Sequence, residues 1–248
     1  MRILWQVATA LFVSAVVLFG QMPAPARATG YLTSEQTSDV VRIIPAAPAM
    51  GDPRFGADMA IFHATRSLEG SARWALAQSD DNLTVGGLLH AFSCTMGLTL
   101  TPEIVPKLVA FLNRANADAS AASNVAKFRY QHKRPFQIAE GNVCVSPQSK
   151  AALEHNPDYP SGHTTLSWET GLILAELSPD NAIEVLVRAR AFGQSRAVCS
   201  VHNLSAVEAG WMTANAVFAM QRDLLPRTLI DLRALLFAHR TDAERRFP

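Results

Sequence analysis

The chain has 248 residues, 49% of them hydrophobic and 17% charged, which supplies apolar material for a sizeable core and does not fit a disordered polar chain. Its 22 Lys and Arg against 21 Asp and Glu give a net charge of +1, so the basic excess that marks a nucleic-acid-binding surface is missing. The length suits one large domain or two small ones, and Ala- and Leu-rich stretches with little Val/Ile/Thr alternation argue for helices and against an all-β sandwich.

Met1-Arg2 is a short basic start, Ile3 to Gly20 is an apolar run, and Ala26-Arg27-Ala28 supplies a small-x-small cleavage pattern. Residues 1–28 therefore read as a signal peptide, with an uncleaved membrane anchor as the alternative. No later stretch of comparable length lacks charges, so the expectation is a periplasmic protein with no membrane association after cleavage. Residues 29–53, rich in Pro, Ala, Ser and Thr, read as an extended N-terminal arm, and 54–248 as the folded domain.

Helical periodicity begins at Phe55 and is expected to run past Gly70 to Ala77, where Asp80-Asp81-Asn82 follows as a break. Val85 to Met96 is a second helix. Thr101-Pro102-Glu103 reads as the start of a third, carrying Val105, Leu108, Val109 and Leu112. Ala117 to Tyr130 is a fourth, ended near Arg134-Pro135, and residues 137–160 form a loop region with a short helix near Ala151. Further helices are expected over Gly162 to Leu177, from Ser178-Pro179-Asp180 to about Phe192, from Ser205 to before Pro226, and over Leu229 to His239. The fold class is all-α, a single compact helical domain. Cys94, Cys144 and Cys199 have no zinc spacing, and in an oxidising compartment they suggest one disulfide and one free thiol, with all three pairings open.

Three clusters carry chemistry. Lys127-Phe128-Arg129-Tyr130-Gln131-His132-Lys133-Arg134-Pro135 is a dense basic run at a helix end, which alone is most simply a solvated face. Pro160-Ser161-Gly162-His163-Thr164-Thr165 opens an apolar helix, where unpaired backbone N–H groups favour an anion. Ser195-Arg196 followed by His202 offers a planar guanidinium for phosphate and an imidazole that is nucleophilic towards phosphorus.

Taken together, Lys127, Arg134 and Pro135, then Pro160 to His163, then Ser195, Arg196 and His202 resemble a known signature. It is that of the superfamily joining type 2 phosphatidic acid phosphatases, bacterial class A non-specific acid phosphatases and vanadium haloperoxidases. The exported layout, with Tyr159 before Pro160 and Val207-Glu208-Ala209-Gly210 after His202, is most similar to the class A acid phosphatases. One position departs. Where that pattern has an aspartate four residues after the nucleophilic histidine, this chain has Ala206, with Ser205 as a weaker substitute.

The resemblance implies hydrolysis of small-molecule phosphate monoesters through a phosphohistidine. His202 would be the nucleophile and His163 the general acid and base. Lys127, Arg134, Ser161, Gly162 and Arg196 would bind the phosphoryl group, with no metal and no cofactor. Ala206 implies reduced activity. A phosphate- or oxyanion-binding homologue without turnover is the alternative, a vanadium-dependent peroxidase a more distant one. Oligomeric state is unspecified, with a homo-oligomer an open option.

Overall fold

The computed structural model describes residues 28–222 and Ala234. The apolar start within the expected signal peptide, and the helix expected over Leu229 to His239 except Ala234, lie outside the described residues.

The arm is not extended throughout. A short helix, α1 (Ser34–Asp39), runs into a 3-10 turn at Val40–Arg42. The cause is local: Thr33 and Gln36 form a reciprocal capping box. Burial adds to it, since Val40 packs on Ala119 and Ala122, and Val41 and Ile44 on Ala126 and Tyr159.

Next come α2 (Pro53–Arg66) and α3 (Ala72–Ser79), two helices where the periodicity suggests one. Gly70 takes φ +78°, and Ser71 then caps α3 through the Trp74 N–H, so the chain turns instead of continuing. Helix α4 (Val85–Met96) begins on a Thr84 cap and ends at left-handed Gly97. In the opposite sense, the two helices expected between Thr101 and Tyr130 are one, α5 (Pro106–Tyr130). The proline at the first helical position is Pro106, not Pro102. Nothing in Asn113–Asn116 breaks the helix, because each Asn costs only a few tenths of a kcal/mol against packing of Leu112, Ala115 and Ala119 at 0% exposure.

Helix α6 (Pro147–Glu154) is the short helix near Ala151, and α7 (Gly162–Leu177) matches its expected limits. Helix α8 (Ala182–Val198) runs a turn and a half past Phe192 and carries Ser195 and Arg196, and α9 is Leu204–Gln221. Among the described residues there is no β-strand, and no helix is long and apolar enough to cross a membrane.

Helix α7 is central, packed on α5, α8 and α9. Its C-terminal half joins α4, α5 and α8 in the main core through Ile173, Leu174, Leu177, Phe92, Leu108, Phe111 and Val185. Burying a side chain of this size contributes about 1.5–3 kcal/mol. Its N-terminal turn is held by close approach. A Cβ on Gly193 would lie 2.8 Å from Thr164 Cγ2, and one on Gly210 would lie 2.8 Å from Thr164 Cβ and 2.9 Å from the Ser161 carbonyl. Cys144 and Cys199 form a disulfide (Cα–Cα 4.6 Å), which ties the segment before α6 to the end of α8, while Cys94 is free and exposed.

Candidate active site

Helix α5 ends because Gln131 adopts a left-handed conformation (φ 48°), leaving Lys127 in its last turn. Lys127 is buried, and its ammonium donates to the carbonyls of Pro157 and Asp158. Burial foremost, then the Arg134 charge, push it down to about 7. Arg134 follows in extended backbone, where Pro135 opens a 3-10 turn. Its guanidinium is 1% exposed and is held by the carbonyls of Asn156 (2.7 Å) and Val201 (2.6 Å) and by Asn156 Oδ1 (3.2 Å). Burial and Arg196 lower it to about 10, so it remains a cation in any acidic or neutral medium.

Ser161 caps α7. Its Oγ accepts from the N–H (3.3 Å) and the hydroxyl (3.0 Å) of Thr164, which leaves its own proton to donate. The Gly162 and His163 N–H groups lie in the first turn, where no intrahelical acceptor exists, so they form the positive end of the helix. His163 Nε2 faces Asp81, 3.3 Å from its carbonyl and 3.4 Å from Oδ1. Burial and the Arg196 charge push His163 down to about 4. Asp81 also receives Arg196 Nη2 at 2.8 Å. Its hydrogen bond to His163, followed by the Arg196 charge, outweighs burial and holds its carboxyl at about 2.

Helix α8 fixes the third cluster. Arg196 is fully buried, donates to Asp81, and has an Nε without a protein partner. Ser195 does not face the anion site. It donates to Asp80 Oδ2 (2.6 Å), which is itself clamped by Arg188, and it accepts from Arg73 Nη1 (2.9 Å). After α8, Ser200 (φ 60°) turns the chain so that His202 enters the site just before α9.

The surroundings of His202 determine its protonation. Nε2 lies 3.1 Å from Arg134 Nη1, which can only donate. Nδ1 lies 2.8 Å from Asp158 Oδ1, and a carboxylate can only accept. The ring is therefore neutral with its proton on Nδ1 and a lone pair on Nε2. Burial, then the Arg134 charge, lower its affinity for a second proton well below the ordinary range. The weaker bond anticipated from Ser205 does not form. The Ser205 N–H and hydroxyl both go to Asp58, at 2.8 and 2.5 Å.

Lys127, Arg134, Gly162, His163 and His202 line one cavity of about 1000 Å³, which extends along α5 to the arm. Ser161 and Arg196 lie outside that wall. The two histidine rings are 6.5 Å apart, centre to centre, which leaves room for a reacting group between them. Three carboxylates of the site are not among the residues its sequence motifs single out: Asp80 and Asp81, expected only as a helix break, and Asp158. The last stands directly before Tyr159-Pro160-Ser161, so its position beside the anion-binding turn was an available signal. Among the described residues, no group of three or more His, Cys, Asp or Glu is placed to hold a metal ion.

Residues 108–225 match the model of the PAP2 superfamily. An acid phosphatase of Zymomonas mobilis subsp. mobilis is 37% identical over 182 residues, covering 73% of this chain and 69% of that protein. A non-specific acid phosphatase of Providencia stuartii is 33% identical over 190 residues, 76% of each chain. That of Salmonella typhimurium is 32% identical over 177 residues, 71% of this chain and 70% of its own.

Proposed function

The chain belongs to the PAP2 superfamily, and we propose that it is an exported acid phosphatase that hydrolyses small phosphate monoesters through a phosphohistidine on His202. The observation that carries this reading is the Nε2 lone pair of His202, facing a cationic cavity beside a helix start. Lys127 and Arg134 take the phosphoryl oxygens, with donors from the Gly162 and His163 N–H groups, and Ser161 caps the helix start that presents them. Arg196 brings a second guanidinium whose Nε is unpartnered. Charge fixed in place before the reaction is normally the largest catalytic term in phosphoryl transfer.

In the first step the His202 Nε2 lone pair bonds to phosphorus. The bond from phosphorus to the leaving oxygen breaks, and that oxygen keeps the electron pair and takes a proton from His163. In the second step His163 accepts a proton from water, the water oxygen bonds to phosphorus, and the N–P bond breaks with its electron pair returning to Nε2. An acidic working range follows from the two environments. His202 stays unprotonated in acid because its pKa is driven far down, and His163 is charged only on the acid side. A bound phosphoryl dianion raises His163 above about 4 and brings its protonated form into range.

The positive charge comes from side chains, so chelators should have no effect. The test is hydrolysis of p-nitrophenyl phosphate by the purified mature protein between about pH 4 and 8, with and without EDTA. Turnover with an acid optimum and no loss in EDTA is expected. Phosphate binding without turnover would favour the oxyanion-binding reading, and EDTA loss restored by a divalent metal would exclude the metal-free mechanism. Export is tested by sequencing the N-terminus of protein recovered from the periplasm, which should begin at Thr29.

A further inference from the structure

We propose that Asp158 is the positioning residue of the His202 nucleophile, and that His132 positions Asp158 in turn. The inference rests on the phosphatase reading for its kinetics, though not for its spectroscopy. It replaces the expectation that Ala206 leaves His202 without a carboxylate.

Asp158 is fully buried and accepts four hydrogen bonds. Oδ1 takes His202 Nδ1 at 2.8 Å and the Asn203 N–H at 3.3 Å. Oδ2 takes Asn203 Nδ2 at 2.8 Å and His132 Nδ1 at 3.1 Å. Its own N–H donates to the His132 carbonyl at 2.8 Å, so loop and basic segment are stitched together by backbone as well as side chain. A buried carboxylate with this many donors is fixed in both position and charge. Burial works to raise its pKa, but the bonds from His132 and His202 and the Arg134 charge outweigh it and hold the group ionised.

His132 has an unusual constraint. Nδ1 faces the Asp158 carboxylate and Nε2 faces the Pro48 carbonyl at 2.9 Å, both of them acceptors. No neutral tautomer satisfies both, so the ring is an imidazolium. It brings a positive charge to the far oxygen of the carboxylate that holds the nucleophile, and it ties the N-terminal arm to the same assembly. The line from Pro48 through His132 and Asp158 to His202 thus fixes the Nδ1–H tautomer and aims Nε2 at the cavity. Asp158 lies in the turn leading to α7, so the carboxylate on His202 Nδ1 comes from that turn and not from the position of Ala206 on α9.

The experiment combines kinetics with histidine nitrogen NMR. In the wild-type protein the His202 resonances are expected to show the Nδ1–H tautomer. An Nε2–H tautomer there would overturn the proposal whatever the variants do. Asp158→Asn keeps the shape and removes the charge. It should lower kcat by about 10²–10⁴ while KM and inhibition by inorganic phosphate stay within a few-fold, as expected for loss of a group that orients a catalytic histidine. The His202 tautomer preference should be lost in the same variant. His132→Gln should lower kcat by about tenfold, again with KM little changed, because one charged donor to Asp158 is gone. Wild-type kcat in Asp158→Asn, or a KM raised as much as kcat is lowered, would overturn the role of Asp158. Wild-type kcat in His132→Gln would overturn that of His132. A wild-type protein that shows the expected tautomer but hydrolyses nothing would count against the phosphatase reading alone.

Discussion

Lys127 and Arg134 reach the same cavity with opposite sensitivities to pH and to substitution. Arg134 stays charged, while Lys127, brought down to about 7, loses its proton as the pH rises through neutrality. KM should therefore climb above about pH 7, and in Lys127→Met that rise should flatten. Arg134→Ala should cost about 3 kcal/mol of barrier in kcat/KM, on the scale of a lost oxyanion donor. Arg134→Lys should recover little of it, because a point charge cannot hold Asn156, Val201 and the phosphoryl group together. A lysine variant near wild-type activity would show that only charge matters there. The sequence revealed these residues because order and spacing carry chemistry: a cation run, a capped helix start, and an arginine ahead of a histidine. Asp158 escaped because it reaches His202 through folding and not through local spacing, 44 positions away in the chain.

At the scale of elements, α7 decides whether the anion site exists. Its first turn must sit deep enough to present Gly162 and His163 to the cavity, and α8 and α9 approach it closely at Gly193 and Gly210. Gly210→Ala would place a methyl 2.9 Å from the Ser161 carbonyl, a backbone atom that cannot swing aside. Overpacking of this kind typically costs 1–3 kcal/mol, so Tm should fall by roughly 2–4 °C for each kcal/mol. Activity should drop more than stability, measured as kcat well below the folding temperature; unchanged kcat would mean that the α7 start is less tightly held. Limits of α4 and α7 were legible because caps and apolar periodicity agree there. Apolar periodicity runs on past Gly70 and so joins α2 and α3, although Gly70 turns the chain there, and the polar middle of α5 conceals a face buried by tertiary packing. Both differences arise where long-range contacts override local preference.

For the whole molecule, the disulfide between Cys144 and Cys199 closes a loop of 55 residues that contains α6, α7 and α8, and hence Ser161, His163 and Arg196. Closing a loop of that length in the unfolded chain is worth about 4 kcal/mol in the chain-entropy picture. The Cys144→Ser, Cys199→Ser double variant should therefore lose roughly 10 °C in Tm, and it should keep most of its kcat at low temperature because neither cysteine lines the cavity. A loss of kcat without a loss of Tm would reverse that assignment. Which two cysteines pair was not decidable from spacing, since only the fold brings Cys144 to the end of α8. The central claim, however, is the covalent step. It is tested most directly by mixing enzyme with a ³²P-labelled phosphate monoester, quenching in alkali, and mapping the label. One base-stable, acid-labile phosphoryl group is expected on His202, present in the wild type and absent from His202→Ala. Rapid turnover with no trapped label, or label that persists in His202→Ala, would contradict it.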